Sequence, residues 1–161
     1  MSVHPFTPDE FRAIYARVPR VCVDLVLLRK EPPALDNRVL LTKRTIDPRC
    51  WHLPGGTMIH GERLAEAASR VASRELGLQL SGGRVLGVIE YASHHALGDS
   101  PIGIAYLAFV APLPDGTPPP ICLNDEASDY LWASSVPEGT HPDQREFICS
   151  LVANFRDEES L

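Results

Sequence analysis

The stretch GGTMIHGERLAEAASRVASRELGL, residues 55–78, decides how the chain is read. Its second half, residues 62–76, contains neither glycine nor proline. Leu64, Ala67, Ala68, Val71, Ala72 and Leu76 recur there at helical period, so an amphipathic helix with one apolar stripe is expected. Gly77 follows as a helix terminator able to adopt a left-handed conformation. Gly55-Gly56 precedes the helix and lets the backbone approach a ligand closely, with carbonyls free to turn toward a cation. From Gly56 the spacing runs G-x5-E-x7-R-x-A-x-x-E-x-G-L, realised by Gly56, Glu62, Arg70, Ala72, Glu75, Gly77 and Leu78. Seven matched positions make chance a poor explanation.

Working outward, residues 8–17 place Phe11, Ile14 and Tyr15 at helical spacing behind the cap candidate Thr7. Residues 21–28 are apolar and β-branched except for Asp24, and read as a buried strand. A connection through Pro32 and Pro33 leads to a second strand, residues 38–44. Residues 45–61 are rich in Pro, Gly, His and Trp and read as an ordered loop. Strands are expected at 84–91 and 102–111, with His94, His95 and Asp99 in the loop between them. A turn over 112–120, a short strand at 130–133 and a closing helix at 142–155 complete the order. The expected fold is α/β, an α/β/α sandwich around a mixed sheet, as a single domain over residues 1–161.

The apolar share of 44% and charged share of 22% are those of a globular protein. A formal net charge of −6 argues against nucleic acid as a partner, because backbone binding depends on clustered Lys and Arg. An anionic ligand would need a metal or a few placed arginines. The four cysteines are scattered without metal-type spacing, so no disulfide framework is expected. No apolar stretch is long enough to span a bilayer, and the start lacks signal-peptide character, so the expected location is cytoplasmic and away from membranes.

The loop and helix resemble the Nudix box, the signature of hydrolases acting on nucleoside diphosphates linked to another moiety. In the usual box, R-E-U-x-E-E-x-G-U, three positions are acidic; here Val71 and Arg74 hold two of them and Glu75 the third. The modified form is similar to that of the GDP-mannose mannosyl hydrolases. Further likeness to that branch lies in residues 21–25, Lys43 to Thr45, residues 123–126 with Asp129, Tyr130 and Trp132, and His141 with Arg145. The resemblance implies an Mg²⁺-dependent hydrolase, with Mn²⁺ as an alternative cation, that releases sugar and nucleoside diphosphate from a GDP-mannose-like substrate. It also implies a homodimer.

Carried over residue by residue, the resemblance sets Glu75 and the Gly55 carbonyl at the metal, and Asp24, Arg44 and Tyr106 against the substrate. The branch's histidine general base falls on Ala105, so Glu90, His94 and His95 are the substitutes, with Arg44 counted among the catalytic groups. Thr57 stands where an arginine is expected. One carboxylate suits a single Mg²⁺, whose remaining ligands are water and substrate phosphate. Multi-metal attack at phosphorus needs more. Plainer roles stay open: Glu75 as a surface helix residue, Asp24 as a partnered core carboxylate, Glu62 as a helix-start carboxylate, Arg44 as a surface strand residue and Arg70 as an orienting partner of Glu62 or Glu75. Pyrophosphate cleavage at phosphorus and a noncatalytic nucleotide sensor are the competing functions.

Overall fold

A computed structural model of the chain describes residues 6–31 and 36–154, with the side chains of 29–31, 36–37, 95–97 and 154 outside that description. The expected helix forms as α2 (Leu64–Leu76), and its stripe, Ala67, Ala68, Val71, Ala72 and Leu76, is buried. It starts two residues later than the composition suggested. Glu66 accepts from the Arg63 N–H at 2.7 Å, closing the first turn, so Glu62 stays outside the helix. Gly77 ends α2 with φ 67°, the left-handed conformation that a glycine adopts without Cβ strain.

The sheet in front of α2 is mixed. Strands β1 (Arg20–Val26) and β7 (Pro101–Val110) pair in parallel at its centre. The short β5 (Gly55–Thr57) and the long β6 (Leu80–Glu90) flank them antiparallel, in the order β5-β1-β7-β6. A second, antiparallel sheet is organised on β3 (Asp36–Arg44). It pairs with β2 (Leu28–Glu31), β4 (Trp51–His52) and β8 (Ala127–Ala133). The expected single strand over 21–28 is therefore two strands in different sheets, and the expected loop over 45–61 contains β4 and β5. These short strands carry no periodic signal of their own; pairing with β3 and β1 defines them. Pro32, Pro33 and Phe155 lie outside the described residues.

Layering follows from alternation along β7. Tyr106 and Ala108 join Val23, Leu25 and the α2 stripe in one core, whereas Ala105 and Leu107 join Ile148, Leu151 and Val152 of α3 (Pro142–Asn154) in the other. The helices thus cover opposite faces of the mixed sheet, as the α/β/α expectation requires. The stretch after β6 is a 3₁₀ turn, Ala92–Leu97, rather than a plain loop. Helix α1 (Pro8–Tyr15) is capped reciprocally by Thr7 and Glu10 and buries none of its residues.

Candidate active site

A cleft of about 350 Å³ opens where the carboxyl-terminal parts of β3 and α2 meet the double-glycine strand β5 and the 3₁₀ turn. One wall is the loop and helix read from sequence. Antiparallel pairing sets Gly55 opposite Asp24 and Gly56 opposite Val23. A β-carbon at Gly55 would lie 2.6 Å from the Asp24 carboxylate and 2.7 Å from the Val23 carbonyl, so this contact excludes any larger residue. The Gly55 backbone favours the ionised Glu75 carboxylate. Glu75 accepts from Arg74 Nη2 at 2.6 Å. Burial outweighs these partners and pushes Glu75 up to about 7.

Glu62 and Arg70 hold this wall from behind. Arg70 donates to both Glu62 oxygens at 2.7 and 2.8 Å and to the Thr57 carbonyl at 3.0 Å, while the Ile59 N–H donates to Glu62 at 3.0 Å. Arg70 therefore partners Glu62 and not Glu75, and neither member of the pair lines the cleft.

Asp24 faces the opposite wall and is 4% exposed. The Tyr91 hydroxyl donates to it at 2.9 Å, and Gln144 Nε2 donates to the Tyr91 oxygen at 2.5 Å. Gln144 in turn accepts from the Leu53 N–H at 2.8 Å, so a buried chain of bonds runs from α3 to β1. Burial pushes Asp24 up to about 7, against the lowering effect of the Tyr91 bond, and the nearby Glu75 charge adds to the rise. Two carboxylates thus ionise reluctantly in one cleft.

Beside them, His94 and His141 bring their Nε2 atoms to 3.4 Å. The ring centroids are 5.5 Å apart, about one ring width more, so the imidazoles meet tip to tip and not face to face. The Asp143 N–H donates to His141 Nδ1 at 3.3 Å, which puts the His141 proton on Nε2 and makes His94 Nε2 the acceptor. Burial lowers both imidazoles below the ordinary histidine value, which favours the neutral form of each. His52 behaves likewise: burial brings it down to about 4, and its Nδ1–H donates to the Leu53 carbonyl at 2.7 Å. Cys22, in the same wall, is pushed up to about 11 by burial, so it stays a thiol and offers no nucleophile.

Of the residues proposed from sequence, the cleft gathers Asp24, Arg44, Gly55, Gly56, Glu75 and His94. Besides Glu62, Arg70 and the helix terminator Gly77, Glu90 and Tyr106 are placed elsewhere. Glu90 is exposed at the end of β6, outside the cleft lining, because strand alternation there turns Ile89 inward. Tyr106 is 7% exposed within the α2 core; a β-carbon at Gly83 would meet its ring at 2.3 Å, so its space is made by that glycine and not by a ligand. The His95 side chain lies outside the described residues. Sequence reasoning missed Arg20, Tyr91 and Gln144. Arg20 donates to Thr57 Oγ1 at 3.1 Å and pairs with Asp99 at 2.5 Å, so a guanidinium reaches Thr57 from β1. Glu126, at the rim, faces Arg74 at 3.5 Å. Among the described residues no three His, Cys, Asp or Glu side chains converge as a ready metal cage, and no helix is long and apolar enough to cross a membrane.

The NUDIX domain model matches residues 18–151. A curated relative, the low-salt glycan biosynthesis protein Agl8 of Haloferax volcanii, is 40% identical over 85 residues, 52% of this chain. The chain spans about half, 51%, of that relative's length. Among solved structures, the MutT NUDIX hydrolase of Burkholderia pseudomallei superposes with a TM-score of 0.66 at 24% identity, covering 84% of this chain and 96% of its own. The NUDIX domain of Shewanella oneidensis NrtR, solved with ADP ribose, gives 0.65 at 20% identity over 94% and 99%.

Proposed function

The chain belongs to the Nudix domain family, and on that premise we propose that it is an Mg²⁺-dependent hydrolase of a nucleoside diphosphate sugar, releasing free sugar and nucleoside diphosphate. The observation that carries the reading is the meeting of Glu75, Asp24, Arg44 and the His94–His141 pair in one cleft. The glycan-biosynthesis relative supports a sugar-linked substrate.

Nudix hydrolases generally use divalent cations such as Mg²⁺. The residues fit one such cation, not a cluster. Glu75 is enclosed, and burial, helped by the Glu126 charge, raises it to about 7 despite Arg74, which is the state of a carboxylate short of positive charge. No third converging ligand is found among the described residues. Glu75, with the neighbouring Gly55 backbone, would hold Mg²⁺ with water and phosphate completing its shell; Mn²⁺ suits the same oxygen donors. When bound, the cation supplies charge stabilisation to a departing diphosphate.

The chain's own groups account for the rest. Arg44, at the cleft end of β3, offers a guanidinium to phosphate oxygens. Neutral His94 accepts a proton from water at Nε2, in exchange for the bond from His141. Asp24, near neutrality and held by Tyr91, is the second group able to take that proton or to fix a sugar hydroxyl. Without several metals, attack at the sugar carbon through an oxocarbenium-like state is favoured over attack at phosphorus. Hydrolysis in ¹⁸O-water tests this. The expected label is in the sugar, with inversion at the anomeric carbon, and label in phosphate would establish the rival pyrophosphohydrolase. Glu126 near Glu75 is the observation that keeps that rival in play. No turnover of any sugar nucleotide would favour the sensor. A homodimer is part of the reading because α1 buries none of its residues within one chain, and sedimentation velocity tests it.

A further inference from the structure

Arg74 occupies a box position that is acidic in the usual pattern, and its contacts are unusual for a helix arginine. One nitrogen, Nη2, serves both Glu75 Oε1 at 2.6 Å and Glu126 Oε2 at 3.5 Å. The Nε atom is buried without a hydrogen-bond partner among the described residues. A guanidinium with one nitrogen shared and another idle is held by charge, and its fork geometry is unused. Its two carboxylates differ sharply: the Glu75 side chain is 7% exposed and that of Glu126 62%. A β-carbon at Gly56 would sit 3.5 Å from Arg74 Nη2 and 3.8 Å from Glu75 Oε1, so cation and carboxylate both rest against the double glycine.

This arrangement bears on the reading of Glu75 given above, on which the following rests. A divalent cation at Glu75 would displace a charge-assisted hydrogen bond and then face a guanidinium a few ångströms away, an unfavourable pair wherever water is scarce. An anion beside Arg74 removes that repulsion. We propose that Arg74 is a built-in counter-ion that occupies Glu75 in the ligand-free protein and transfers to a phosphate of an incoming diphosphate ligand, freeing Glu75 for the divalent cation. The exposed Glu126 keeps the guanidinium at the rim during the exchange. Once Nη2 is released, it and the partnerless Nε, which share one edge of the guanidinium, give the phosphate a fork to accept from. Cation and diphosphate then bind with positive coupling, and by linkage each strengthens the other by the same factor.

The test uses Mn²⁺ alone, followed by electron paramagnetic resonance, and inorganic pyrophosphate alone, followed by calorimetry, at about pH 8.5, where carboxylates are ionised. Arg74→Gln is expected to tighten Mn²⁺ about tenfold and to weaken pyrophosphate about tenfold, the scale of one charge-assisted hydrogen bond. Arg74→Lys, which keeps the charge and loses the fork, should return Mn²⁺ to within about threefold of the natural protein while leaving pyrophosphate weak. Thermal unfolding checks that each variant is folded, and Arg74→Lys carries the test if Arg74→Gln is not. Glu75→Gln separates the two readings. If it abolishes Mn²⁺ binding while the Arg74 variants leave both constants within about twofold, the counter-ion proposal is overturned and the metal reading stands. If Glu75→Gln leaves Mn²⁺ binding unchanged, the metal reading falls and the counter-ion proposal with it.

Discussion

The wall made by β5 and α2 is tied by Arg74 to Glu75, Arg70 to Glu62 and Arg70 to Thr57, pairs 1, 8 and 13 residues apart, whereas the facing wall joins residues far apart in sequence. There His94 meets His141 across 47 residues, Gln144 meets Tyr91 across 53, Tyr91 meets Asp24 across 67 and Gln144 meets Leu53 across 91. The first wall draws its side-chain ties mainly from α2 and its preceding turn, with the pairing of β5 on β1 and the Arg20–Thr57 and Arg74–Glu126 contacts added from outside. The second exists only once the mixed sheet and α3 have assembled around it. A short-range wall can therefore keep a constant phosphate-and-metal chemistry, while a long-range wall can be rebuilt to suit a different substrate or base without disturbing the motif.

If the short-range wall carries the charge stabilisation, its loss has the largest effect. Glu75→Gln is expected to lower metal-dependent turnover roughly 10²- to 10³-fold, the scale of losing one preorganised charge stabiliser. Its melting temperature should not fall, since the natural carboxylate is already costly to ionise there. Turnover within tenfold of the natural protein at limiting Mg²⁺ would remove the division of labour between the walls.

The long-range wall is tested next through its imidazoles. His94→Gln is expected to reduce turnover about 10²-fold with KM little changed, because a proton acceptor acts mainly in the transition state. Burial lowers His94, so the acid limb of the natural profile should lie below about pH 6.5, the ordinary histidine value. That limb should vanish in the variant. A retained limb would assign the titration to Asp24 or Glu75 instead, both of which burial raises to about 7.

These two expectations also mark what the sequence made legible. Glu75, Gly56, Arg70 and Gly77 stand at fixed offsets within one loop and helix, so spacing alone locates them. The α/β/α layering was equally readable, since the buried strands and the α2 stripe carry strong patterns. Tyr91, Gln144 and Arg20 carry no local signal, because their roles depend on which strand lies beside which. Glu90 and Tyr106 fall outside the cleft for the same reason: a position in a strand does not say which face it presents to a ligand until register is known. His94 was within reach only as a polar residue in a loop, and its partner His141 is supplied by the turn before α3.

Asp24 offers a smaller effect, read as stability. Its folded value of about 7 lies above its ordinary carboxylate value, so the folded protein holds a proton that the unfolded chain has already released. The sign follows: the natural protein loses stability as pH rises from the unfolded value toward about 7, and is fully relieved of this cost below it. Asp24→Asn stays neutral and keeps an acceptor for Tyr91. Its stability relative to the natural protein should therefore rise by about 2–3 kcal/mol between pH 5 and pH 8, measured by urea unfolding. A difference independent of pH would mean that Asp24 is already ionised in the fold, compensated by a partner such as Arg20.

The smallest expected effect returns to the short-range wall and asks whether its brace matters to the other side. Arg70 and Glu62 are largely shielded, with side-chain exposures of 19% and 12%, so the pair is not discounted as a surface ion pair would be. Arg70→Gln removes two bonds to Glu62 and one to the Thr57 carbonyl, leaving Glu62 with the Ile59 N–H. The cost should be about 1–2 kcal/mol, or a fall of roughly 2–8 °C in Tm for a chain of this size. Glu62→Gln should cost about the same, and the double variant little more, since both remove one interaction. Because the brace holds the turn carrying Gly55 and Gly56, Mn²⁺ binding should weaken a few-fold along with stability. The acid limb assigned to His94 should stay where it is, as no bond links Arg70 to the Tyr91, His94, His141 and Gln144 network among the described residues. If that limb moves in Arg70→Gln, the two walls are coupled through the sheet, and the motif and the long-range network would have to be treated as one cooperative unit.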